Sequence, residues 1–190
     1  MNIHTRPLAL LAALAALTLV AGCGGSNDNG NKGGSSNTVN RTTPPFIPVG
    51  DVQYIDAIVP HHRLAVEMAQ TELDKGTRAD VKALAQTIKD MQTQEIALLT
   101  SARQALTGSA TVPTPPKDPH MEGDMAAMMA ATGAQVDVLF LDNMIPHHAA
   151  GISLAHRALP SLVRADVKGN AESVFSNQAQ EIGEMEALRQ

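Results

Sequence analysis

The sequence predicts an all-α domain, a four-helix bundle built from two copies of one helical hairpin. Three observations predict it. The chain repeats itself: "DVQYIDAIVPHHRLAVEMA" at 51–69 aligns without a gap on "DVLFLDNMIPHHAAGISLA" at 137–155, "RADVKALA" at 78 falls on "RADVKGNA" at 164, "QEI" at 94 on "QEI" at 180, and Arg103 on Arg189. An ungapped match of this length is a duplication, and a repeat of this size is one supersecondary unit used twice. Val81, Leu84, Ala85, Ile88, Met91, Leu98, Leu99, Ala102 and Leu106 recur at three- and four-residue steps, the stripe of an amphipathic helix. No stretch shows the strict alternation of a half-buried strand.

Taken in order, residues 1–22 have the build of a leader: the lone early basic residue Arg6, the apolar run "LALLAALAALTLVAG" and a small-residue end. The run is too short and too rich in alanine for a spanning helix. "VAGC" resembles a bacterial lipoprotein box, which makes Cys23 the lipidated N-terminus of the mature chain; the alternative is an ordinary cleaved leader with an incidental cysteine. Several acyl chains on one cysteine anchor firmly where one would not. The expected location is therefore the cell envelope, outside the cytoplasm, with the membrane as a partner through the lipid. Residues 23–49 carry Gly, Ser, Asn and Thr with little to bury and read as a flexible linker.

The folded domain is expected at 50–190, with repeats at about 51–106 and 137–190. In each repeat a first helix, from about 50 to 75 in the first copy, is joined by a turn such as "KGTRAD" to the amphipathic second helix. Two such hairpins pack most simply as a four-helix bundle, with "TGSATVPTPPKDP" at 107–119 as the long connection. Pro60 and Pro146 fall inside the first helices, where each removes a hydrogen bond and crowds the carbonyl of Asp56 or Asp142, so a kink is expected before each histidine pair. With no Trp, one Tyr and three Phe, the core must be Ala, Leu, Ile, Val and Met.

Composition narrows the chemistry. The formal charge of −5, one unit more negative without Arg6, argues against a nucleic-acid partner. Cys23 is the only cysteine, so the domain has no disulfide, and a metal would be held by His, Met, Asp, Glu or backbone. No Glu-x-x-His occurs, which disfavours a di-iron oxidase, and neither a nucleophile elbow nor a phosphate loop is present. No catalytic residue emerges, so the reading leans to a binding protein and leaves catalysis open.

What remains is Pro-His-His, twice. His61, His62, His147 and His148 sit among apolar neighbours at helical spacing. On the second helices the apolar stripe lands on Glu95 where a leucine belongs, and on Glu181 in the other copy. A carboxylate on a core stripe is unfavourable unless paired, and a histidine of the facing helix would pair it. With Met68, Met91, Met144 and Met185 nearby, the set points to a transition metal; imidazole suits several, and thioether tilts the choice to copper. "HMEGDMAAMM" at 120–129 adds His120 and further methionines, with Met121, Met125 and Met128 on one helical face. The competing account is structural: His–Glu hydrogen bonds that clasp the bundle, and methionines as adaptable core filler.

These residues resemble the bacterial family called domain of unknown function 305, often described as ferritin-like. Its hallmark is Met-Ile-x-His-His followed by a small residue and Met-Ala, then Gln-x-x-Glu-Ile-x-x-Met. "MIPHH" at 144–148, "PHHRLAVEMA" at 60–69, "QTQEI" at 92–96 and "QAQEIGEM" at 178–185 match it, and the resemblance covers nearly all of 50–190. It implies a secreted or envelope-anchored helical bundle, with some members linked to copper binding and tolerance and no established enzymatic activity. His61, His62, His147, His148, Met68, Glu95 and Glu181 carry over; Leu154 and Leu99 stand where methionines are expected, and Ile58-Val59 where the second copy has Met144-Ile145. A methionine-dependent site would be asymmetric, with His156 a candidate to compensate. The resulting expectation is a lipid-anchored copper binder for sequestration, tolerance or delivery: the four histidines as ligands, Met68 and Met144 favouring the reduced ion, and Glu95 and Glu181 orienting the imidazoles. Expected partners are copper-handling proteins and, if two chains share a site, a second copy.

Overall fold

The computed structural model describes residues 50–116 and 119–190, the side chains of 119–121 apart. The leader, Cys23 and the linker lie outside the described residues. Five α-helices and one short 3-10 turn make up the domain: α1 Asp51–Lys75, α2 Ala79–Thr107, α3 Pro119–Ala130, α4 Ala134–Ala158, the turn Leu159–Ser161, and α5 Ala165–Leu188. Among the described residues there is no strand, and no helix is long and apolar enough to cross a membrane.

α1 with α2 and α4 with α5 are the two hairpins, and α1 packs on α4 while α2 packs on α5. The four-helix bundle is as expected, and α3, inside the connection, is an addition lying against α1 and α4. The α2 helix ends at Gly108, whose φ of 77° is left-handed backbone that closes a helix without a Cβ penalty. Helical assignment runs through both Pro60 and Pro146.

The hairpins are fastened by contacts that duplicate along with the chain. Asp137, at the start of α4, accepts hydrogen bonds from the Thr77 and Arg78 amides (2.9 and 3.0 Å) and from Thr77 Oγ1 (2.7 Å), capping α2 of the other hairpin. Asp51, its counterpart, accepts from the Val163 and Arg164 amides (3.0 and 3.1 Å) and caps α5. Each cap satisfies donors that a helix N-terminus leaves open and contributes roughly 0.5–2 kcal/mol. Arg103 pairs with Asp56 at 2.6 Å and Arg189 with Asp142 at 2.8 Å, again at aligned positions.

The apolar core is not continuous. One cluster joins Ala65, Met68, Ile88, Met128, Phe140, Met144 and Met185 with their neighbours. The other joins Tyr54, Ile55, Ile58, Leu99, Ala155 and Val174 with theirs. Along every long helix the change of cluster falls at the same level: after Val59 on α1, between Ile88 and Ile96 on α2, between Ile145 and Leu154 on α4, between Val174 and Ile182 on α5. The residues at that level are His61, His62, Gln92, Glu95, His147, His148, Gln178 and Glu181. A polar layer thus crosses the bundle at mid-height.

Two details depart from the sequence reading. Leu98 and Leu106, placed on the apolar stripe of α2, are 43% and 40% exposed: neighbouring Leu99 takes the inward face in place of Leu98, and Leu106 lies in the exposed last turn of the helix. Gln92 and Gln178, which an amphipathic pattern assigns to the surface, are buried.

Candidate metal-binding site

Two contacts between aligned residues locate the pseudo-two-fold axis of the duplication. The rings of His61 and His147 lie 3.7 Å apart, centroid to centroid, inclined by 33°. Met91 and Asn177 also meet, with Asn177 Nδ2 donating to Met91 Sδ at 3.3 Å. The axis therefore passes between α1 and α4 at the first histidines of each pair and between α2 and α5 at the other side of the bundle.

The second histidines turn away from it toward the carboxylates of their own hairpin. His148 Nε2 lies 2.9 Å from Glu181 Oε2, inside hydrogen-bond geometry. His62 Nε2 lies 3.0 Å from Glu95 Oε2 but off the alignment of a hydrogen bond, so this contact is close without being well directed. Both imidazoles are fully buried, and each keeps Nδ1 without a partner. The pairing of inward Glu with facing His, expected from the interrupted stripe, is present in both hairpins.

His61 and His147 face a cavity of about 220 Å³ lined also by Leu64, Met68, Asp124, Met125, Asn143, Pro146 and Ala150. Its roof is α3, which brings Met125 over the histidines and Asp124 to the rim. Burial and the neighbouring imidazoles hold His61 down at about 3, and the same causes hold His147 well below the ordinary range. Neutral imidazole is the form that ligates. Both ring nitrogens of His147 and Nδ1 of His61 are buried without a hydrogen-bond partner. Neutral imidazoles with unpartnered ring nitrogens, lining a cavity with two thioethers, are suited to a soft ion.

The predicted residues divide accordingly. His61, His147 and Met68 line the cavity; His62 with Glu95 and His148 with Glu181 form the two flanking pairs; Met144 is fully buried in the apolar core and is not among the cavity's lining residues. The four histidines do not converge on one point, and no group of three or more His, Cys, Asp or Glu among the described residues is arranged to hold an ion. A site in this cavity must therefore use thioether as well as imidazole. His156 is exposed, its ring 6.3 Å from that of Phe175, and lines no part of the cavity. Met91 and Met185 lie at the axis contact and in the core, and of the α3 methionines with described side chains Met125 and Met128 are buried while Met129 is 52% exposed.

Two features were missed. Gln92 and Gln178 are 2% exposed, and neither amide atom of either has a partner. Their identity at aligned positions, three residues before Glu95 and Glu181, was the available signal. Gly151 was the other: a Cβ there would meet Gln178 Oε1 at 2.4 Å and His61 Cε1 at 2.9 Å, so the bare backbone makes room for both.

The chain resembles several solved structures across the whole bundle. CopM in the Cu(II)-bound form is 25% identical, with a TM-score of 0.66 over 75% of this chain and 97% of that one. CopM in the Cu(I)-bound form is also 25% identical, with a TM-score of 0.65 over 73% of this chain and 94% of that one. A DUF305 fragment from Deinococcus radiodurans, 23% identical with a TM-score of 0.65 over 73% and 93% of the two chains, shares the fold. No curated protein matches the chain. The family model for the domain of unknown function DUF305 matches residues 35–106 and 51–189, and the duplicated hairpin with its paired histidines, described above from the residues upward, belongs to that family.

Proposed function

We propose that the chain is a lipid-anchored envelope protein that binds copper in the cavity under α3, with His61, His147, Met68 and Met125 as its ligands, for sequestration, tolerance or delivery to copper-handling partners. The observation that carries this reading is the meeting in one cavity of two thioethers with two neutral imidazoles, each of which has a buried ring nitrogen without a hydrogen-bond partner. It is supported by the likeness to CopM, whose structures hold Cu(I), Cu(II) and silver. Mixed imidazole and thioether donors favour the cuprous ion. The Glu95 and Glu181 carboxylates then hold the second histidines at the cavity's flanks, a stiffening role and not ligation. Anchoring rests on the box at Cys23.

The test is a copper(I) titration of the purified chain under reductant, beside a variant with His61 and His147 replaced by Phe. Saturable binding that the variant loses while keeping its helical circular dichroism supports the reading. Equal binding by both chains removes the site from this cavity.

A second reading is favoured by one observation, the two buried His–Glu contacts at aligned positions. In that account the polar layer clasps the bundle and fixes its register without a metal. Ligand that binds only the folded state raises the melting temperature. A clasp alone leaves the melting temperature indifferent to copper(I).

A further inference from the structure

Duplication should make His61 and His147 equivalent, and they are not. His61 Nε2 lies 3.0 Å from the backbone oxygen of His147. A carbonyl only accepts, so Nε2 carries the proton and Nδ1 keeps the lone pair. The reciprocal contact is much the weaker: neither nitrogen of His147 makes a directed hydrogen bond, and the His61 backbone is only the smallest of the influences on its ring.

The difference traces to one pair of aligned positions, Gly151 and Ala65. In an α-helix the side chain four residues on lies beside a carbonyl, which is why Ser and Thr can bond back to it. Gly151 therefore leaves the His147 carbonyl open from the side, while the Ala65 methyl stands beside the His61 carbonyl. A Cβ at Gly151 would stand 2.9 Å from His61 Cε1, the atom bonded to Nε2, closer than such contacts allow. The Gln178 amide uses the same notch, its Oε1 lying 2.4 Å from where that Cβ would stand.

We propose that Gly151 is a positioning residue that breaks the two-fold symmetry of the site, locking His61 onto the α4 backbone as the Nε2–H tautomer and leaving His147 as the ring free to turn onto a ligand. The hydrogen bond at one ring nitrogen sets which nitrogen is offered to a metal. His61 then offers Nδ1 in a fixed direction, and His147 adjusts. The metal half of this statement rests on the proposed function; the tautomer half does not.

The two halves separate in one experiment on the full chain labelled with 15N-histidine. Long-range proton–nitrogen spectra report each ring's tautomer, and Ag⁺ serves as a redox-inert probe. The wild type is expected to show His61 as a single Nε2–H tautomer. Gly151→Ala should average it and lower Ag⁺ affinity by about tenfold, the usual scale for losing a group that orients a ligand. Ala65→Gly adds no atom that could clash, so it serves even if Gly151→Ala folds poorly; it should bring His147 to the Nε2–H form. An unchanged His61 tautomer in folded Gly151→Ala, or a His147 that stays averaged in Ala65→Gly, overturns the proposal. Tautomers as expected with imidazole signals that ignore Ag⁺ uphold the positioning role and refute the metal reading instead.

Discussion

Glu72 offers the sharpest test of the electrostatics of this fold. It is fully buried near the end of α1, and neither carboxylate oxygen has a hydrogen-bond donor. The oxygens fill the space beside Gly76, where a Cβ would meet them at 2.1 and 2.6 Å. Asp137 stands next to it with its own oxygens taken up by Thr77 and Arg78, and only Lys82 and Arg78 supply opposing positive charge. Burial first, and then the hydrogen bond to Asp137 and its charge, push the Glu72 carboxyl up from 4.5 to about 8, so at neutral pH it stays protonated and donates to Asp137.

The sign follows from linkage. Below pH 4.5 Glu72 is protonated both folded and unfolded and the shift has no effect. Between 4.5 and about 8 the unfolded chain releases a proton that the folded chain keeps, so stability falls as pH rises, and above that window the deficit is constant. The slope limit is about 1.4 kcal/mol per pH unit. Over the roughly 3.5 units of the window this limit amounts to about 4–5 kcal/mol, Lys82 and Arg78 being already included in the value of about 8. Glu72→Gln keeps the donor and the shape but cannot ionise, so its advantage over wild type should grow from pH 5 to pH 8. Urea denaturation of both chains at unit steps of pH measures it. Parallel stability profiles for the two chains would refute the reasoning, since they would mean that Glu72 titrates alike folded and unfolded.

Further outcomes follow from the same structure. Asp51→Ala should lower stability by about 1–2 kcal/mol, the loss of an N-cap that also joins the two hairpins. Asp137→Ala loses a comparable cap but relieves Glu72, so its effect should be smaller above pH 7 than at pH 5; equal loss at both values would detach Glu72 from Asp137. Glu181→Ala leaves His148 buried without its directed hydrogen bond and should cost about 1–3 kcal/mol, whereas Glu95→Ala, which removes a poorly aligned contact of a more exposed side chain, should cost less. Thermal melts rank the pair, and the reverse order would contradict the geometry.

The sequence made the bundle legible because its two signals, helical periodicity and an ungapped repeat, both report on elements that fold locally. The inward carboxylates were legible for a related reason: Glu95 and Glu181 interrupt stripes that are otherwise apolar. Gln92 and Gln178 were legible only as a repeated Gln-x-x-Glu and not as buried residues, since an amide is at home on a helix surface and nothing local marks its burial. The caps formed by Asp51 and Asp137 were hidden because their targets lie in the other hairpin. Met125 was visible as part of a methionine cluster, yet only the packing of α3 on α1 and α4 places it over His61 and His147 while leaving Met144 in the core. Leu98 was misjudged because a stripe read at three- and four-residue steps admits both members of the Leu98–Leu99 pair, of which the helix turns only one inward, and Leu106 because the stripe was carried into the exposed last turn of α2.

The duplication itself argues for function at its points of difference. What holds the hairpins together is kept in both copies: the reciprocal Asp caps, the Arg–Asp pairs and the His–Glu contacts. Elsewhere the copies part: Met68 at the cavity faces Leu154 in the alignment, Gly151 beside His61 faces Ala65, and Glu72 near the end of α1 faces Ala158. Tyr54 bonds Asn170 at 2.9 Å in one half, where the aligned pair in the other is Phe140 and Leu84. A site on a true two-fold would present two identical half-sites and gain nothing from α3, which has no second copy. Here, of the two first helices, only α1 brings a thioether to the cavity, and α3 covers it from both α1 and α4. The fold needs the symmetry, and the proposed site lies where the symmetry fails.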